Sequence, residues 1–504
     1  MDLFAGLALG METALSPTTL FYCFVGVFLG TLIGVLPGIG ALATISLLLP
    51  ITYHIPPAAA LVMLAGVWYG AQYGGSTAAI LLNLPGTPSS AVACLDGYPM
   101  SQQGRAGPAL FMTTVASFVG SMLGLLLLVL FTPAIAQMAL QFGPAEYFSM
   151  MLLGLIAAST LASGSPAKGL AMVVLGLLLG TVGTDVMTGV ARFHFGLPPM
   201  RDGLMLVALA MALFGISEVI SSVNQPSHKD IKQKITLRSM LPTRSDVTVS
   251  GFPMLRGTAV GSFFGALPGT GVAISSFMAY AVEKRVARDP SRFGKGAMEG
   301  LTAPEAANNA AAQTAFVPTL ALGIPGSATM GLMLGALIIH GIQPGPLFIA
   351  RQPELFWGLV VSFAVGNILL VILNLPLIGL WVSLLRIPYR MLYPAILIFI
   401  CIGVFSVRNN VFDLYVVAVL GVLGYALAVL RFSAAALLLG FVLGPLMEEN
   451  LRRALLVARG DPMVFLERPI SAGLLACCAA LLVWSVIASV RAGRKPVQQG
   501  LSDG

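Results

Sequence analysis

Long apolar runs recur along the whole chain and are separated by short polar stretches. Because a transmembrane helix needs about 20 apolar residues, runs such as 110–131 and 355–375 predict membrane-spanning helices. Other apolar runs, such as 21–50 and 257–281, are shorter or interrupted. The pattern predicts an all-α polytopic membrane protein with about twelve membrane-embedded segments, some of them incomplete.

Two of the interrupted runs share a Leu-Pro-Gly motif. GTLIGVLPGIG (Gly30–Gly40) and GSFFGALPGTG (Gly261–Gly271) place Gly, Leu and Pro at matching positions without a gap. Pro lacks a backbone N–H and Gly adds little restraint, so the motif interrupts a helix. In apolar surroundings such backbone persists only where it is buried in protein or lines a wet cavity. The duplication therefore predicts two repeats with re-entrant or broken helices, which is typical of secondary transporters.

A second Pro-Gly pair follows each motif at about the same distance, in NLPGTPSS (Asn83–Ser90) and in GIPGSAT (Gly323–Thr329). Between the two halves lies a conspicuous polar stretch that is rich in Lys and Arg. Cytoplasmic loops of membrane proteins carry such an excess of positive charge. The predicted organisation is membrane repeat 1 over 1–223, a basic cytoplasmic linker over 224–256, membrane repeat 2 over 257–450, and a C-terminal loop and transmembrane helix over 451–504.

The charges that flank the two Leu-Pro-Gly motifs predict opposite orientations of the repeats. Residues 51–57 contain no Lys or Arg, whereas residues 283–295 are rich in both. By the positive-inside rule these equivalent points lie on opposite sides of the membrane, which indicates inverted topology. The arms Gly257–Leu267 and Gly271–Glu283 have basic residues at both outer ends and reach about half to two-thirds of a 30 Å core. We therefore favour a re-entrant hairpin, with one broken spanning helix as the alternative.

Composition and charge exclude several other classes of protein. Hydrophobic residues make up 57% of the chain and charged residues 9%, against about 25% charged in soluble domains. The formal net charge of +7 resides in short loops and does not indicate nucleic-acid binding. The five cysteines and four histidines show no metal-binding or redox spacing, and catalytic acids and bases do not cluster. We expect no enzyme activity, no metal site, no cofactor and no cleaved signal peptide.

The interrupted helices are the candidate substrate site, because exposed N–H groups and helix N-termini attract anions. Hydroxyl and amide side chains beside the second Pro-Gly pairs would add hydrogen bonds. The alternatives are structural kinks, close helix packing and helix caps. The candidates are Pro37, Gly38, Ile39 and Gly40 in the first motif, Pro268, Gly269, Thr270 and Gly271 in the second, and Ser76, Thr77, Asn83, Pro85, Gly86, Thr87, Ser89, Ser90, Pro325, Gly326 and Ser327 around the second pairs.

The polar stretch PEAANNAAAQT (Pro304–Thr314) is the candidate ion-coupling site. Amide oxygens of Asn308 and Asn309 are hard ligands that suit Na⁺, and a carboxylate at membrane depth, such as Glu305, is a candidate proton carrier. Two alternatives stay open. The amides can form interhelical hydrogen bonds, and Glu305, which follows Pro304, can simply favour a helix N-terminus.

The block YGAQYGGSTAAILLNLPGTPSSAVACLDGYPMSQQGRAGPAL (Tyr69–Leu110) resembles the signature of the large membrane subunit of the tripartite tricarboxylate transporters, the TctA family. GALPGTGVAISSFMAYAVEK, APEAANNAAAQTAFVPTLALGIPGSATMGLMLGAL and TVGTDVMTGVARFHFG resemble further blocks of this family. The resemblance runs from about Gly30 to Leu446. The family's motifs match this chain at Pro37–Gly40, Pro268–Gly271, Gly74–Thr77, Asn83–Ser90, Asn308–Asn309 and Pro325–Ser327.

The resemblance implies a multi-pass secondary transporter of the bacterial inner membrane, with elevator-type or similar alternating access. A periplasmic solute-binding protein (TctC-like) would deliver a di- or tricarboxylate such as citrate, and a small four-helix membrane subunit (TctB-like) would complete the complex. Symport with Na⁺ or H⁺ would drive uptake. The residues alone leave one alternative open, a passive organic-anion channel, because channels use similar re-entrant loops.

Overall fold

The structure is a computed structural model that describes residues 3–36, 40–139, 141–161, 166–185, 187–222, 236–267, 271–345, 347–385 and 393–493. These residues are overwhelmingly α-helical. The strands among them are β1 (Gly183–Thr184) and β2 (Ala191–Arg192), which pair antiparallel within one short loop. The all-α prediction is confirmed.

The helices follow one another with short connections. The first group contains α1 (Leu3–Ala14), α2 (Pro17–Val35), α3 (Gly40–Thr52), α4 (Pro57–Leu82), α5 (Ala93–Gln102), α6 (Ala106–Ala139), α7 (Pro144–Leu161), α8 (Pro166–Gly180), α9 (Leu206–Ala210) and α10 (Ser217–Ser222). The second contains α11 (Arg244–Ala266), α12 (Gly271–Val286), α13 (Met298–Thr314), α14 (Phe316–Leu322), α15 (Ala328–Ile339), α16 (Phe348–Arg351), α17 (Pro353–Asn374), α18 (Ile378–Leu384), α19 (Tyr393–Arg408), α20 (Val411–Val429), α21 (Ala434–Val457), α22 (Val464–Glu467) and α23 (Pro469–Gly493).

Several helices have the length and composition of membrane spans. Among the described residues, 5 helices are long and apolar enough to cross a membrane: Pro17–Val35, Ala106–Ile135, Pro353–Asn374, Val411–Val429 and Ala434–Val457. Shorter apolar helices, including α3, α8 and α15, accompany them. Large apolar side chains such as Tyr415 and Val419 of α20 are exposed, as expected of a surface that faces lipid. The chain is a polytopic membrane protein, and the count of about twelve embedded segments stays a prediction.

The chain forms two compact units: unit 1 contains Met1–Gln141 and Leu204–Ala426, and unit 2 contains Phe142–Gly203 and Leu427–Gly504. These units differ from the predicted division in chain order, so the repeat boundaries stay a prediction. Part of the predicted linker is helical, because α11 already begins at Arg244. Residues 223–235 of that region lie outside the described residues.

Unit 1 is held together by helices that approach each other at glycines. On α2, three glycines spaced four residues apart face α4, and three with the same spacing on α11 face α13. A Cβ at any of these positions would overlap backbone of the facing helix, so only glycine permits such close packing. The facing pairs are Gly26 with Met63, Gly30 with Val67, Gly34 with Ala71, Gly257 with Ala303, Gly261 with Ala307, and Gly265 with Ala311.

A third glycine contact encloses α13 from another side. Gly120 and Gly124 of α6 face the backbone of Ala306 and Ala310. As a result every residue of α13 is buried, and so is every residue of α4 from Ala59 to Leu81. The polar side chains of these two helices are therefore buried inside unit 1.

An ion pair joins the two helices on either side of the second Leu-Pro-Gly motif. Arg256 donates from Nε to Glu283 Oε2 at 2.9 Å and from Nη2 to Glu283 Oε1 at 2.6 Å. The two residues stand at similar distances before and after the motif, so α11 and α12 run antiparallel as a helical hairpin. This geometry supports the predicted hairpin over a single broken helix. The first arm is longer than predicted, because α11 has 23 residues.

A buried carboxylate joins α5 to the loop before α13. Asp96 Oδ1 accepts hydrogen bonds from the backbone N–H groups of Gly294, Gly296 and Ala297 at 2.9, 2.9 and 2.8 Å. Its Oδ2 accepts from the Tyr280 hydroxyl at 3.0 Å. Asp96 is 0% exposed, and backbone donors near the start of α13 stabilise its charge.

In unit 2, α7 and α8 pack against α21, and ion pairs fix the loop that carries β1 and β2. Arg452 contacts Asp185 at 2.7 Å and Glu448 at 2.6 Å, and Arg192 contacts Glu448 at 2.7 Å. Hydrogen bonds from Arg452 and Thr188 hold the pKa of Asp185 below its usual range. These contacts give the polar residues of this loop a structural role.

The hairpin makes a testable prediction about Arg256. Arg256→Met leaves the buried Glu283 carboxylate without its cation, so we expect a loss of about 1–3 kcal/mol of stability. Adding Glu283→Gln should restore most of the loss, because the buried charge is then gone. Thermal unfolding of the detergent-solubilised chain measures both, with Arg285→Met on the exposed side of α12 as the control. If the stability losses of the two single substitutions simply add in the double variant, the contact between Arg256 and Glu283 is contradicted.

Candidate functional site

The two second Pro-Gly pairs lie in loops with the same local structure. The C-cap residues of α4 and α14 are Asn83 and Gly323. Both are in the left-handed conformation, with φ of 59° and 72°. After each Pro-Gly pair a hydroxyl caps the next helical turn. Thr87 Oγ1 accepts from the Ser90 N–H at 3.4 Å, and Ser327 Oγ accepts from the Met330 N–H at 3.3 Å. Asn and Gly tolerate this left-handed conformation better than other residues do.

Each of these loops packs against the helix that precedes a Leu-Pro-Gly motif. Gly86 donates its N–H to the Gly75 carbonyl at 3.4 Å, and a Cβ on Gly86 would overlap the Gly34 carbonyl oxygen. Gly326 faces the carbonyl oxygens of Leu267 and Gly265, at 3.7 and 3.9 Å from an ideal Cβ. Gly34 and Gly265 are equivalent in the matched motifs. In each half, the structure thus places the loop with the second Pro-Gly pair against the end of the helix that precedes the Leu-Pro-Gly motif.

The halves also contact each other around these loops. Helix α12 packs against the 3₁₀ turn Pro88–Val92, and α15 packs against α3. The helix that follows the Leu-Pro-Gly motif in one half therefore contacts the segment that follows the second Pro-Gly pair in the other half. This reciprocal packing is expected of two related repeats.

The Leu-Pro-Gly motifs are only partly described. Pro37, Gly38, Ile39, Pro268, Gly269 and Thr270 lie outside the described residues, so their predicted role is not tested. Gly40 and Gly271 begin α3 and α12 with φ of 66° and 67°. A Cβ on either residue would meet no atom within 4 Å. Glycine at these positions serves the backbone conformation and not close packing.

The hydroxyl groups of the first loop bond mainly to the loop itself. Ser89 Oγ donates to Gln72 Oε1 at 2.8 Å, Thr87 and Ser89 hydroxyls lie 3.0 Å apart, and Ser90 Oγ donates to the Thr87 carbonyl at 2.8 Å. Together with the cap at Ser327, these bonds support the capping alternative. Thr77 is buried on α4, whereas Asn83 and Pro85 are exposed and Pro325 is buried. Substrate contact by any of them stays a prediction.

Glu305 is at the centre of a polar cluster between α4, α6 and α13. Its Oε2 accepts from Ser76 Oγ at 2.5 Å, and its Oε1 accepts from Ser117 Oγ at 2.8 Å and from Asn309 Nδ2 at 3.1 Å. Asn309 Nδ2 also donates to Ser117 Oγ at 2.9 Å. Because α13 already begins at Met298, the alternative that placed Glu305 at a helix N-terminus is wrong.

Amide groups on α13 add further buried polar atoms. Both side-chain polar atoms of Asn308 and of Gln313, and Oδ1 of Asn309, are buried and have no hydrogen-bond partner among the described residues. The predicted interhelical bond is thus present for Asn309 and not for Asn308. Buried polar groups normally pair with protein, water or a ligand, so this side of α13 suits a polar ligand.

Sequence reasoning missed Ser117 and Gln72, which complete these two networks. Ser117 lies in the long apolar helix α6, where Thr113, Thr114 and Ser121 share helical spacing with it. This helical spacing of hydroxyl side chains within an apolar run is the sequence signal that could have identified Ser117. Gln72 stood inside the polar segment before Ser76, and only the folded loop reveals its contact with Ser89.

Interrupted helices and a polar cluster buried among apolar helices define a polytopic membrane protein with the architecture of a transporter. Residues 20–439 match the sequence model of the "Tripartite tricarboxylate transporter TctA family", and the chain belongs to this family of membrane transporter components.

Two relatives come from Agrobacterium vitis. One, an uncharacterized 52.8 kDa protein in the TAR-I ttuC' 3' region, is 51% identical over 99% of both chains. Another, an uncharacterized protein in the TAR-II ttuC' 3' region, is 54% identical over 47% of this chain and 98% of its own. No solved structure matches the chain.

The two loops differ in their tolerance of a side chain. Gly86→Ala forces a methyl group into the Gly34 carbonyl, so we expect a loss of about 1–3 kcal/mol of stability. Gly326→Ala, at the equivalent position, meets only ordinary van der Waals contacts and should be close to neutral. Thermal unfolding in detergent compares the two, with Gly251→Ala in open space on α11 as the control. Equal losses at Gly86 and Gly326 would contradict the packing of these loops.

Proposed function

We propose that the chain is the large transmembrane subunit of a secondary transporter that imports di- or tricarboxylates. A periplasmic solute-binding protein delivers the substrate, and a Na⁺ or H⁺ gradient drives uptake across the bacterial inner membrane. A small four-helix subunit completes the complex. Membership of the tripartite family supports this proposal, as does the chain's composition of apolar helices.

The observation that carries the proposal is the contact of both Pro-Gly loops with the helices that precede the Leu-Pro-Gly motifs. Helices α3, α12 and α15 begin a few residues further along the chain from these contacts. The N-terminus of a helix presents free N–H groups and partial positive charge, which attract carboxylates. We place the substrate carboxylates at these helix starts, near Gly40, Gly271 and Ser327.

The charges of the surrounding helices are consistent with such a site. Helices α3, α4, α6, α13, α14 and α15 contain no Lys or Arg, and α12 carries Lys284 and Arg285 only in its last turn, at the opposite end from Gly271. A polycarboxylate bound there would depend on backbone N–H groups, neutral side chains and a co-transported cation. This dependence favours ion-coupled symport.

Reciprocal packing of the two halves supports a movement that exposes the site alternately to the two sides. In a transporter built from inverted repeats, the inward-facing conformation becomes the outward-facing one when the two halves exchange their local structures. We propose elevator-type or similar alternating access, in which the hairpin α11–α12 and its counterpart α2–α3 move relative to their surroundings. A passive channel has no such cycle and would only equilibrate its solute.

Accumulation of substrate is the measurement that tests this function. Deletion of the gene in the source bacterium should abolish uptake of at least one radiolabelled carboxylate, such as citrate or succinate, and the wild-type chain should restore it. The internal concentration should rise above the external one and collapse with an ionophore, because the ion gradient supplies the free energy. Restored uptake that stops at equal concentrations would identify a channel instead, and unchanged uptake in the deletion strain would contradict the proposal.

A further inference from the structure

We propose that Glu305 is the residue that binds the coupling cation, a proton or a sodium ion, while Ser76, Ser117 and Asn309 hold its carboxylate in place. This inference rests on the transport function proposed above. It selects one of the polar groups on α13 as the cation site and names partners from two other helices.

Glu305 is a buried acid without a basic partner. Glu305 is 3% exposed. Its carboxylate forms no ion pair among the described residues, in contrast to the carboxylates of Glu283 and Glu299. An ionised carboxylate is costly in such surroundings unless a cation or a proton neutralises it. The cation must therefore come from solution.

The ionisable groups on the helices packed around α13 are engaged elsewhere or uncharged. Helices α4 and α6, which supply the partners of Glu305, contain no acidic or basic residue, and Tyr73 of α4 bonds through its hydroxyl to Asn367 Oδ1 at 3.1 Å. The charged groups on the other packed helices, and on α13 itself, have partners away from Glu305: Arg256 with Glu283, Glu299 with Arg292, Asp246 with Arg105, and Asp96 with backbone N–H groups. The remaining charged groups are exposed: Arg244 at the start of α11, and Lys284 and Arg285 near the end of α12.

The immediate partners of the carboxylate suit a group that gains and loses a cation. A hydroxyl group both donates and accepts, and rotates at little cost. Ser76 and Ser117 can therefore donate to an ionised Glu305, accept from a protonated one, or offer oxygen atoms to Na⁺. A carboxylate with a fixed structural role in a protein interior more often has an Arg or backbone N–H groups as partners, as Glu283 and Asp96 have here.

The location of the cluster connects the cation to movement of the two halves. Ser76 and Ser117 lie on α4 and α6, in the first predicted repeat, whereas Glu305 and Asn309 lie on α13, in the second. The charge on Glu305 changes the hydrogen bonds that join these helices. An ionised Glu305 also repels an approaching carboxylate substrate, so binding of a cation favours binding of the anion. The two effects together couple the ion gradient to transport.

The charge-neutral variant Glu305→Gln tests the assignment, with Glu354→Gln at an exposed position of α17 as the matched control. The glutamine keeps the size of the side chain and mimics the neutralised state. In right-side-out vesicles that contain the small membrane subunit and are supplied with the solute-binding protein, it should lower gradient-driven accumulation of radiolabelled citrate or succinate by at least about tenfold. The same vesicles can be used to measure the rate at which external labelled substrate exchanges for internal unlabelled substrate. This exchange needs no net movement of the cation, so its rate should stay within about threefold of wild type.

Further measurements identify the coupling ion, and they distinguish a failure of this inference from a failure of the proposed function. Imposing a pH gradient without Na⁺, or a Na⁺ gradient at constant pH, shows which ion drives the wild-type chain, and Glu305→Gln should lose the response to that ion. Normal accumulation by Glu305→Gln would overturn the inference, and so would loss of both accumulation and exchange in a variant that is still folded by size-exclusion chromatography. If the wild-type chain itself accumulates no carboxylate, the proposed function fails instead.

A second variant tests the inference if Glu305→Gln does not fold. Ser117→Ala leaves the carboxylate in place and removes one hydrogen bond that stabilises its ionised form. It should shift the external pH, or the Na⁺ concentration, at which uptake is half-maximal. The control is Ser250→Ala, since the Ser250 hydroxyl is buried and bonds back to the Asp246 carbonyl of its own helix. Half-maximal points equal to those of the wild-type chain would overturn the proposal.

Discussion

Close packing of helix backbones at glycine is the constraint on which the rest of unit 1 depends. In a bilayer the lipid is as apolar as the protein, so helices associate through van der Waals contact and hydrogen bonds and not through exclusion of water. The glycines of α2, α6 and α11 allow neighbouring backbones to touch. Substitution of a glycine that faces a neighbouring helix, such as Gly30, Gly120 or Gly261, moves that helix, because the atoms that the new side chain would meet belong to the backbone and cannot rotate away.

This packing explains why polar residues occur at the centre of an apolar protein. Helix α13 is enclosed by α6 and α11 on faces made of alanine and glycine, which leaves the side that carries Glu305 and Asn309 for partners on α4 and α6. Small residues and polar residues therefore have separate functions on one helix. The alanines set the distance to the neighbours, and the polar residues make the specific contacts.

Much of the fold could be predicted from the sequence, because strong signals were repeated in it. The Leu-Pro-Gly repeat and the second Pro-Gly pairs correctly indicated interruptions of helices. For the hydroxyl groups beside the second pairs, the structure supports the capping alternative at Thr87 and Ser327, and substrate contact stays a prediction. Long-range contacts could not be predicted in this way. Nothing in the local pattern shows that Ser117 lies beside Glu305, since 188 positions separate them. The start of α11 was also missed, because its first turns are polar and resemble a linker.

The same limit applies to the position of Glu305. A Pro immediately before an acidic residue usually marks the first turn of a helix, yet Pro304 lies inside α13. A membrane interior tolerates proline within helices because neighbouring groups satisfy the freed carbonyl. The rule drawn from soluble proteins therefore offered a helix end as one alternative for Glu305, whereas the structure places it in the middle of a buried helix.

The attachment of Asp96 to backbone N–H groups has a consequence for how the two sequence halves stay joined. Exposed ion pairs, such as that between Glu449 and Arg453, weaken as dissolved salt screens their charges. The contact of Asp96 is shielded from solvent, and its donors are peptide groups whose path depends on Gly294 and Gly296, with φ of 82° and 100°. Changes in ionic strength outside the cell or within it should therefore leave this junction intact.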